Sequence, residues 1–363
     1  MSQPQKLTVA SGKEAELFRP LPNGKVQCTA CARLCQMGEG QVGLCGVRGV
    51  VGGKLYLLVY GKLSAGNIDP IEKKPVVHYK PGSKIFSIAT FGCNWLCSYC
   101  QNFDVSQRRR IEGIDATPDD VVSKALEYGC EGIAYTYNQP TIFIEYARDV
   151  GIEAHRKGLF NIFVSNGFDT PESVGVIGNF LDCITVDFKG SGETNFVRRY
   201  IGIPNADPIF ETLKGLRDKT KVHIEITDLI VPRAGDDLGA AEKLCRWVYD
   251  NLGPDTPIHF LRFHPDYKMM DFPHTPIETL EKHYEVGIKA GLNYVYLGNV
   301  PGHPAESTYC PGCRGVLIGR FGYEITAYNL DGSNRCKACG YKTPIVGPLS
   351  KSFKDERFLS VIN

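Results

Sequence analysis

Three closely spaced cysteines, Cys93, Cys97 and Cys100, directly follow an apolar, strand-like run. Cysteine thiolates hold the irons of iron–sulfur clusters, normally four thiolates to a cluster. Three thiolates in one compact loop would leave one iron open to a small-molecule ligand, and chemistry could take place there. An incomplete zinc site, a disulfide with a spare thiol, or chance clustering are the alternatives, but zinc normally closes its site with four ligands.

Two further cysteine groups flank this loop. The C-terminal group consists of Cys310, Cys313, Cys336 and Cys339. Its paired CxxC spacing predicts a zinc ribbon, with zinc favoured over a rubredoxin-like iron. The N-terminal group consists of Cys28, Cys31, Cys35 and Cys45. Four thiolates suit either zinc or an auxiliary iron–sulfur cluster, and we favour zinc.

Apolar, β-branched runs alternate with helix-like segments about six times between residues 84 and 300. Repeated βα units predict a parallel sheet, either doubly wound or curled into a full or partial barrel. Thr117, Thr170 and Thr275 are each followed by proline, which predicts a helix N-cap at each threonine. Around Thr275 the sequence predicts a full capping box.

Polar residues recur where the predicted strands end. They are Asn138, Gln139, Asn166, Asp187, Lys189, Glu225, Asp228, Arg262, His264 and Asn299. The carboxyl ends of parallel strands share one edge of a sheet, where active sites of such folds are assembled. We therefore expect these side chains to form one rim together with Cys93, although each taken singly has a structural explanation, such as a turn or a capped helix.

Composition indicates a folded, soluble protein. The 363 residues include 41 lysines and arginines against 40 aspartates and glutamates, so no global charge favours nucleic acid or an anionic membrane as a partner. The 14 cysteines fall largely into CxxC-type groups, which is typical of metal binding in a reducing compartment. The N-terminus lacks a signal-peptide pattern, so we expect a cytoplasmic protein. Isolated Cys130, Cys183 and Cys245 are expected in the core.

Several segments together resemble one family. They are the N-terminal cysteine group, DPIEKKP, CNWLCSYCQN, YTYNQPTIF, VDFKG, RFHPDYKM, YLGNVPGH and the C-terminal cysteine group. The chain resembles the radical SAM enzyme of the AmmeMemoRadiSam system, which is related to pyruvate formate-lyase activating enzyme. The resemblance implies a partial (β/α)6 TIM-type barrel over 84–304, preceded by a cysteine-rich module over 1–83 and followed by the zinc-ribbon module over 305–363.

The resemblance also implies the chemistry. Cys93, Cys97 and Cys100 would hold a four-iron (4Fe-4S) cluster that binds S-adenosylmethionine and cleaves it reductively. The resulting 5'-deoxyadenosyl radical would abstract hydrogen from a substrate. That substrate is either a glycine of a partner protein, as for the activating enzymes, or a small molecule, lipid or nucleotide. A non-enzymatic iron–sulfur or zinc scaffold is the alternative of another class.

Roles for the rim follow from the same resemblance. Asn138 and Gln139 occupy the turn that contacts the methionine ammonium, although the glycine-rich form of that turn is absent. Asn166 resembles the TNG element at the third strand tip. Asp187 and Lys189 would face the cofactor or substrate, or form a salt bridge at the end of a strand.

The remaining rim residues and the partners are less closely defined. Tyr99 would lie near adenine or pack beneath the loop. Arg262 and His264 would bind adenine or substrate, or His264 would be satisfied beside Pro265. The family implies association with an AMMECR-type or MEMO-type protein, and an electron donor such as flavodoxin or ferredoxin.

Overall fold

The computed structural model describes residues 12–354 and 358–362. The N-terminal part is built from short strands. They are β1 (Lys13–Glu14), β2 (Phe18–Pro20), β3 (Val26–Cys28), β4 (Gln36–Met37), β5 (Arg48–Val51), β6 (Lys54–Leu57), β7 (Lys62–Leu63) and β8 (Ala65–Pro70). Two small antiparallel sheets form from them, in the orders β1-β6-β5 and β2-β3-β4. The N-terminal cysteines are carried by these sheets and their turns.

The central part alternates strands and helices. Its elements are β9 (Lys84–Ala89), α1 (Phe103–Ser106), β10 (Ile114–Asp115), α2 (Pro118–Glu127), β11 (Gly132–Tyr135), α3 (Ile144–Arg156), β12 (Phe160–Ser165), α4 (Pro171–Ile177), β13 (Cys183–Lys189), α5 (Thr194–Phe196), α6 (Asp207–Lys219), β14 (His223–Ile230), α7 (Leu238–Leu252), β15 (Ile258–Arg262), α8 (Ile277–Lys289) and β16 (Val295–Gly298). The C-terminal part adds β17 (Thr308–Tyr309), β18 (Val316–Phe321), β19 (Glu324–Tyr328) and β20 (Leu359–Ile362). No helix in the described part of the chain combines the length and apolar character needed to cross a bilayer.

One nine-stranded sheet organises the molecule, in the order β16-β15-β14-β13-β12-β11-β9-β8-β20. The strands from β9 to β16 in this order pair in parallel, whereas β8 and β20 are antiparallel. The predicted α/β fold with a mostly parallel sheet is therefore confirmed. The order is linear, with β16 and β20 at its edges, so the closure of a TIM-type barrel stays a prediction.

Two of the three predicted helix caps are present. The Thr117 hydroxyl accepts the backbone N–H of Asp120, and the Thr170 hydroxyl caps α4 in the same way. The cap predicted at Thr275 is wrong, because α8 begins at Ile277 without a side-chain cap. The buried Thr275 hydroxyl instead donates to the Ile230 carbonyl at 2.6 Å and accepts from a neighbouring loop amide at 2.9 Å. The Thr275 hydroxyl therefore bonds to residues that are distant in the sequence and not to the first turn of its own helix.

The core forms as the apolar runs predict, and the three isolated cysteines Cys130, Cys183 and Cys245 are all buried in it. Burial raises the pKa of each thiol, because the charged thiolate would lose its hydration. These residues therefore pack as small apolar side chains.

Two acidic residues expected at the rim instead form hydrogen bonds inside the protein core. The Glu225 carboxylate, near the amino end of β14, accepts the backbone N–H of His78 at 2.8 Å and lies 2.9 Å from the His259 ring. Asp228 accepts the backbone N–H and hydroxyl of Ser191 at 2.8 and 2.6 Å. Both are fully buried, and a buried carboxylate is stable only with such partners. Their placement on the rim was wrong.

Candidate active site

A cleft of about 370 Å³ lies at the carboxyl ends of the parallel strands. Of the eleven residues predicted for the cluster and its ligand, all except Arg262 line it. They are Cys93, Cys97, Tyr99, Cys100, Asn138, Gln139, Asn166, Asp187, Lys189 and His264. The loops after several strands therefore meet around one space, as the parallel arrangement requires.

The three loop cysteines are placed to be metal ligands. Burial raises the pKa of Cys93 to about 11 and raises the pKa of Cys97 well above its usual value. Backbone N–H groups, including that of Gln139, point at the Cys93 sulfur and partly offset this rise. Buried thiols become thiolates when a metal replaces the proton, and amides directed at sulfur stabilise the negative charge. The donor set thus fits a cluster held by three thiolates.

Asn138 offers an unpartnered acceptor in the cleft. Its amide nitrogen donates to the Thr90 carbonyl at 2.7 Å and to the Gly92 carbonyl at 2.9 Å. Its Oδ1 atom is buried and has no hydrogen-bond partner in the described structure. A buried acceptor without a partner costs free energy. A ligand ammonium or hydroxyl would satisfy this oxygen.

Gln139 and Asn166 are tied into the walls of the cleft. The Gln139 amide nitrogen donates to the Ser165 hydroxyl at 2.9 Å and to Asp169 at 3.1 Å, and its oxygen accepts the Asn166 N–H at 2.7 Å. The Asn166 side-chain amide donates to Asn94 Oδ1 at 2.8 Å. These side chains therefore position the loops, and Asn166 ties the tip of β12 to the cysteine loop.

Asp187 and Lys189 form an ion pair of 3.1 Å at the end of β13. The Thr227 hydroxyl also donates to Asp187. Lys189 lies close enough to Cys97 and Cys100 that its charge lowers the pKa of both thiols, although burial outweighs this effect. The salt bridge at the strand end and the position facing the cleft are thus both present.

The other predicted binding residues differ in placement. The Tyr99 ring is buried and stacks on Phe196 with centroids 6.0 Å apart, while also lining the cleft. His264 is exposed at the mouth, where its Nδ1 lies 2.6 Å from the Pro265 carbonyl. The structure does not bring Arg262 into the cleft: its Nε donates to the Thr275 carbonyl at 2.9 Å, which fixes the loop after β15.

Two lysines in the wall of the cleft were not predicted from the sequence, because they do not follow a parallel strand. Lys73 and Lys74 line the cleft beside Tyr137. Each lysine lies 2.6 Å from the Asp69 carboxylate, which also accepts the Tyr137 hydroxyl at 2.9 Å. Burial lowers the pKa of Lys74 to about 8. The DPIEKKP segment was the available signal, but it begins at the end of the antiparallel strand β8, where the rule for parallel strands does not apply.

The C-terminal cysteines form a compact group. The Sγ atoms of Cys310 and Cys339 are 3.6 Å apart, and those of Cys313 and Cys336 are 3.8 Å apart. All four sulfurs lie within 4.8 Å of one another. A tetrahedral ion with zinc–sulfur bonds of about 2.3 Å requires a sulfur–sulfur separation of roughly 3.8 Å. This group can therefore hold one metal ion, and none of its cysteines lines the cleft.

The N-terminal cysteines surround a second, small cavity behind the cleft. Its walls include Cys28, Cys31, Cys35 and Cys45, together with Arg33, Arg48 and Asn94. Asn94 directly follows Cys93 in the sequence. The N-terminal group is thus in contact with the loop that carries the cleft cysteines.

The amino-acid sequence is similar to a known protein family and to a protein from an archaeon. Residues 87–248 match the model of the Radical SAM superfamily. The chain is 41% identical over 337 residues to the "Uncharacterized protein MJ0808" of Methanocaldococcus jannaschii, an alignment that covers 92% of this chain and 99% of the relative. The matched region contains the loop cysteines and most of the cleft wall.

Similar solved structures are more distant. A radical SAM methyltransferase from Sphaerobacter thermophilus has 13% identity and a TM-score of 0.49, covering 60% of this chain and 67% of that one. A domain of pyruvate-formate lyase-activating enzyme from Bacteroides vulgatus has 13% identity and a TM-score of 0.40, covering 46% of this chain and 99% of that one. The assignment to the AmmeMemoRadiSam system stays a prediction.

Proposed function

Because this chain belongs to the radical SAM superfamily, and to the same family as the uncharacterized protein MJ0808, we propose that it reductively cleaves S-adenosylmethionine and abstracts hydrogen from a substrate. Membership in this superfamily indicates an enzyme and supports radical chemistry. The observation that carries the proposal is the meeting of Cys93, Cys97 and Cys100 with the unpartnered Asn138 oxygen in one cleft.

The residues of the cleft suit the cofactors of this reaction. The cluster, when bound, supplies the electron that cleaves the sulfonium and so generates the deoxyadenosyl radical. The three cysteines would hold its irons, and Asn138 Oδ1 would accept a hydrogen bond from the methionine ammonium. Lys189 can donate to a carboxylate while keeping its bond to Asp187, because an ammonium carries three N–H groups.

Apolar side chains in the same cleft would protect a reactive carbon centre. Trp95, Tyr99, Leu229, Leu261 and Phe263 contribute to its walls. Such walls exclude water from the bound ligand and strengthen the polar contacts within the site. A non-enzymatic scaffold would have no need for this combination of apolar shielding, open acceptor and thiolate loop.

Cys97→Ala tests the proposal directly. Anaerobically reconstituted protein is mixed with dithionite and S-adenosylmethionine, and methionine and deoxyadenosine are measured. We expect at least a ~100-fold loss of cleavage, because removing even an outer partner of a metal ligand commonly costs 10–100-fold. Cys245→Ala, a buried cysteine of α7, is the control and should cleave normally. Full turnover by Cys97→Ala would refute the proposal.

The substrate divides into two classes. Formation of a glycyl radical on a partner protein is supported by the Asp187–Lys189 element, which lies in the cleft as the resemblance to activating enzymes implies. Modification of a small molecule is supported by the cleft volume, which is within the usual range for small-molecule sites. AMMECR-type and MEMO-type proteins are the proposed partners, with a flavodoxin or ferredoxin as donor.

A deuterium-transfer experiment separates the classes. Purified AMMECR-type and MEMO-type proteins labelled with deuterated glycine are each incubated with the reduced enzyme. Deuterium in deoxyadenosine, together with a glycine-centred radical signal, would support the activating reaction. Unlabelled deoxyadenosine from both proteins would favour the small-molecule class.

We also propose that the compact C-terminal group binds zinc and stabilises its module. Four thiolates at single-ion spacing close the coordination shell, as in structural zinc sites. Such a site contributes to folding, because the metal binds only the folded ligand arrangement.

A further inference from the structure

We propose that Cys28, Cys31, Cys35 and Cys45 hold a second iron–sulfur cluster, bound by four thiolates and lying directly behind the cleft. This inference concerns a site separate from the proposed cleavage of S-adenosylmethionine. All four cysteines line one cavity, and three of them are buried. Their spacing, the charged groups around them and their position relative to the cleft lead to the assignment.

The spacing of the sulfurs distinguishes this group from the C-terminal one. Within residues 12–354 and 358–362, the C-terminal group is the only set of three or more cysteine, histidine or carboxylate donors lying within 4.8 Å of one another. The N-terminal sulfurs share a cavity but are spread more widely. A single tetrahedral zinc would require separations of roughly 3.8 Å. A cluster binds each thiolate to a different iron, so its ligands lie farther apart.

The loop cysteines provide an internal reference. Cys93, Cys97 and Cys100 line the cleft together, yet they too are absent from the compact set. The two cysteine groups nearest the cleft therefore share the wider arrangement, whereas only the distant C-terminal group has single-ion spacing. Zinc, which the sequence favoured for the N-terminal group, does not suit its geometry.

Arginine side chains complement a negatively charged centre in this cavity. Arg48 is 2% exposed and forms an ion pair with Glu145 at 2.6 Å, but its Nε atom has no hydrogen-bond partner. Arg33 donates through Nε to the Asn94 carbonyl at 2.9 Å, and one of its terminal nitrogens is also unpartnered. A buried donor without a partner is costly. Cluster or cysteine sulfur would accept from both groups.

The cavity adjoins the loop that carries the cleft cysteines. Asn94 lines the cavity, and its buried side-chain nitrogen has no hydrogen-bond partner in the described structure. On the other side, a Cβ atom built at Gly92 would lie 2.3 Å from the Cys45 carbonyl oxygen, so only glycine permits this approach. The two groups of thiolates are therefore separated by little more than the residues flanking Cys93.

Metal analysis of the unmodified protein is the first test. After anaerobic reconstitution with iron and sulfide, and removal of loosely bound metal, iron and zinc are counted per chain. We expect about eight irons and one zinc, from two four-iron clusters and one C-terminal ion. About four irons with two zincs would overturn the proposal, as would about four irons with one zinc.

A variant lacking the cleft cluster locates the second one. Cys93→Ala combined with Cys97→Ala and Cys100→Ala should retain about four irons and a cluster absorption spectrum. Adding Cys31→Ser should remove that iron, whereas adding Cys245→Ala should not. Retained iron in the triple variant supports the N-terminal site even if the unmodified protein fails to cleave S-adenosylmethionine. Iron lost from a folded triple variant overturns it, and if the triple variant does not fold, the metal count of the unmodified protein decides.

Discussion

The two flanking modules each carry four grouped cysteines but contact opposite ends of the parallel strands. The N-terminal module packs against loops at the carboxyl ends. Its Thr29 carbonyl accepts the Thr170 hydroxyl at 2.5 Å, and its Ala32 N–H donates to the Phe168 carbonyl at 3.0 Å. Together with the bond from Arg33 to Asn94, these contacts connect the N-terminal cysteine group to the cleft.

The C-terminal module instead packs near the amino ends of the strands. The Thr308 hydroxyl lies 2.9 Å from the Tyr296 hydroxyl, and Arg320 donates to the Val77 carbonyl at 2.9 Å. The Val346 N–H donates to the His78 carbonyl at 2.7 Å. Within the part of this module that the structure describes, only the turn of its hairpin, at Tyr323, reaches the cleft.

The position of each module indicates which property of the protein it should affect. In folds of this class the carboxyl ends of the strands carry the chemistry, and the amino ends contribute stability. Changes in the C-terminal module should therefore affect stability more than cleavage, whereas changes in the N-terminal module should affect both. The following variants test this difference between the two modules.

Cys336→Ser should have the largest effect on stability. The substitution removes one of the four thiolates of the C-terminal metal site. We expect the free energy of unfolding of the module to fall by more than about 4 kcal/mol, as is typical when a structural metal is lost. Urea unfolding and limited proteolysis measure this loss, and cleavage of S-adenosylmethionine by the folded fraction should stay within about twofold of the original rate. A variant that folds normally but cannot cleave would contradict the contrast.

Glu145→Ala should destabilise the N-terminal module next most strongly. It leaves the buried Arg48 guanidinium without its counter-ion, which typically costs about 3–5 kcal/mol. Urea unfolding of the metal-loaded protein measures the change. Glu16→Gln, which removes a carboxylate from the half-exposed pair with Arg148, is the matched control and should cost at most about 1 kcal/mol. Equal effects of the two changes would show that the buried ion pair contributes no more to stability than the partly exposed one.

His78 should make stability depend on pH. Burial lowers the pKa of its imidazole to about 3, whereas the unfolded chain titrates near 6.5. Between these values the unfolded state binds more protons, so the free energy of unfolding falls as the pH is lowered through this window. For this group we expect a loss of about 2 kcal/mol between pH 7 and pH 5.

Urea midpoints at the two pH values measure this effect, with His78→Asn as the comparison. The asparagine variant should be less stable at pH 7, because the contact with the Tyr296 hydroxyl at 2.7 Å is altered, and it should show a flatter dependence on pH. An unchanged slope would assign the acid sensitivity to other groups.

Asn138→Ala should have the smallest energetic effect. It removes the acceptor that faces the ligand together with the amide's hydrogen bonds to the Thr90 and Gly92 carbonyls. Loss of a hydrogen bond to a charged ammonium predicts a rise of about tenfold in the KM for S-adenosylmethionine. Steady-state deoxyadenosine formation measures KM and kcat separately. An unchanged KM in the alanine variant would remove Asn138 from the ligand site.

Some features could be predicted because each depends on residues close together in the sequence. They are the alternation of strands and helices, the spacing of Cys93, Cys97 and Cys100, and the C-terminal CxxC pairs. Thr117 and Thr170 were readable for the same reason, since a cap acts on its own helix. Thr275 was misread because its hydroxyl finds partners on β14 and on the loop after β15. Glu225 was misread because partners from a segment that precedes β9 reach its strand.

Periodicity and short spacings express local geometry, so they were enough to predict the types of metal-binding residue, their grouping and a parallel α/β fold. Which side chains lie together in one cleft depended on the tertiary packing. It brought Lys74 into the cleft, excluded Arg262, and separated a compact sulfur group from a spread one. Distances between side chains depend on how remote segments pack against each other, and the same four cysteines can be spaced for one ion or for several irons.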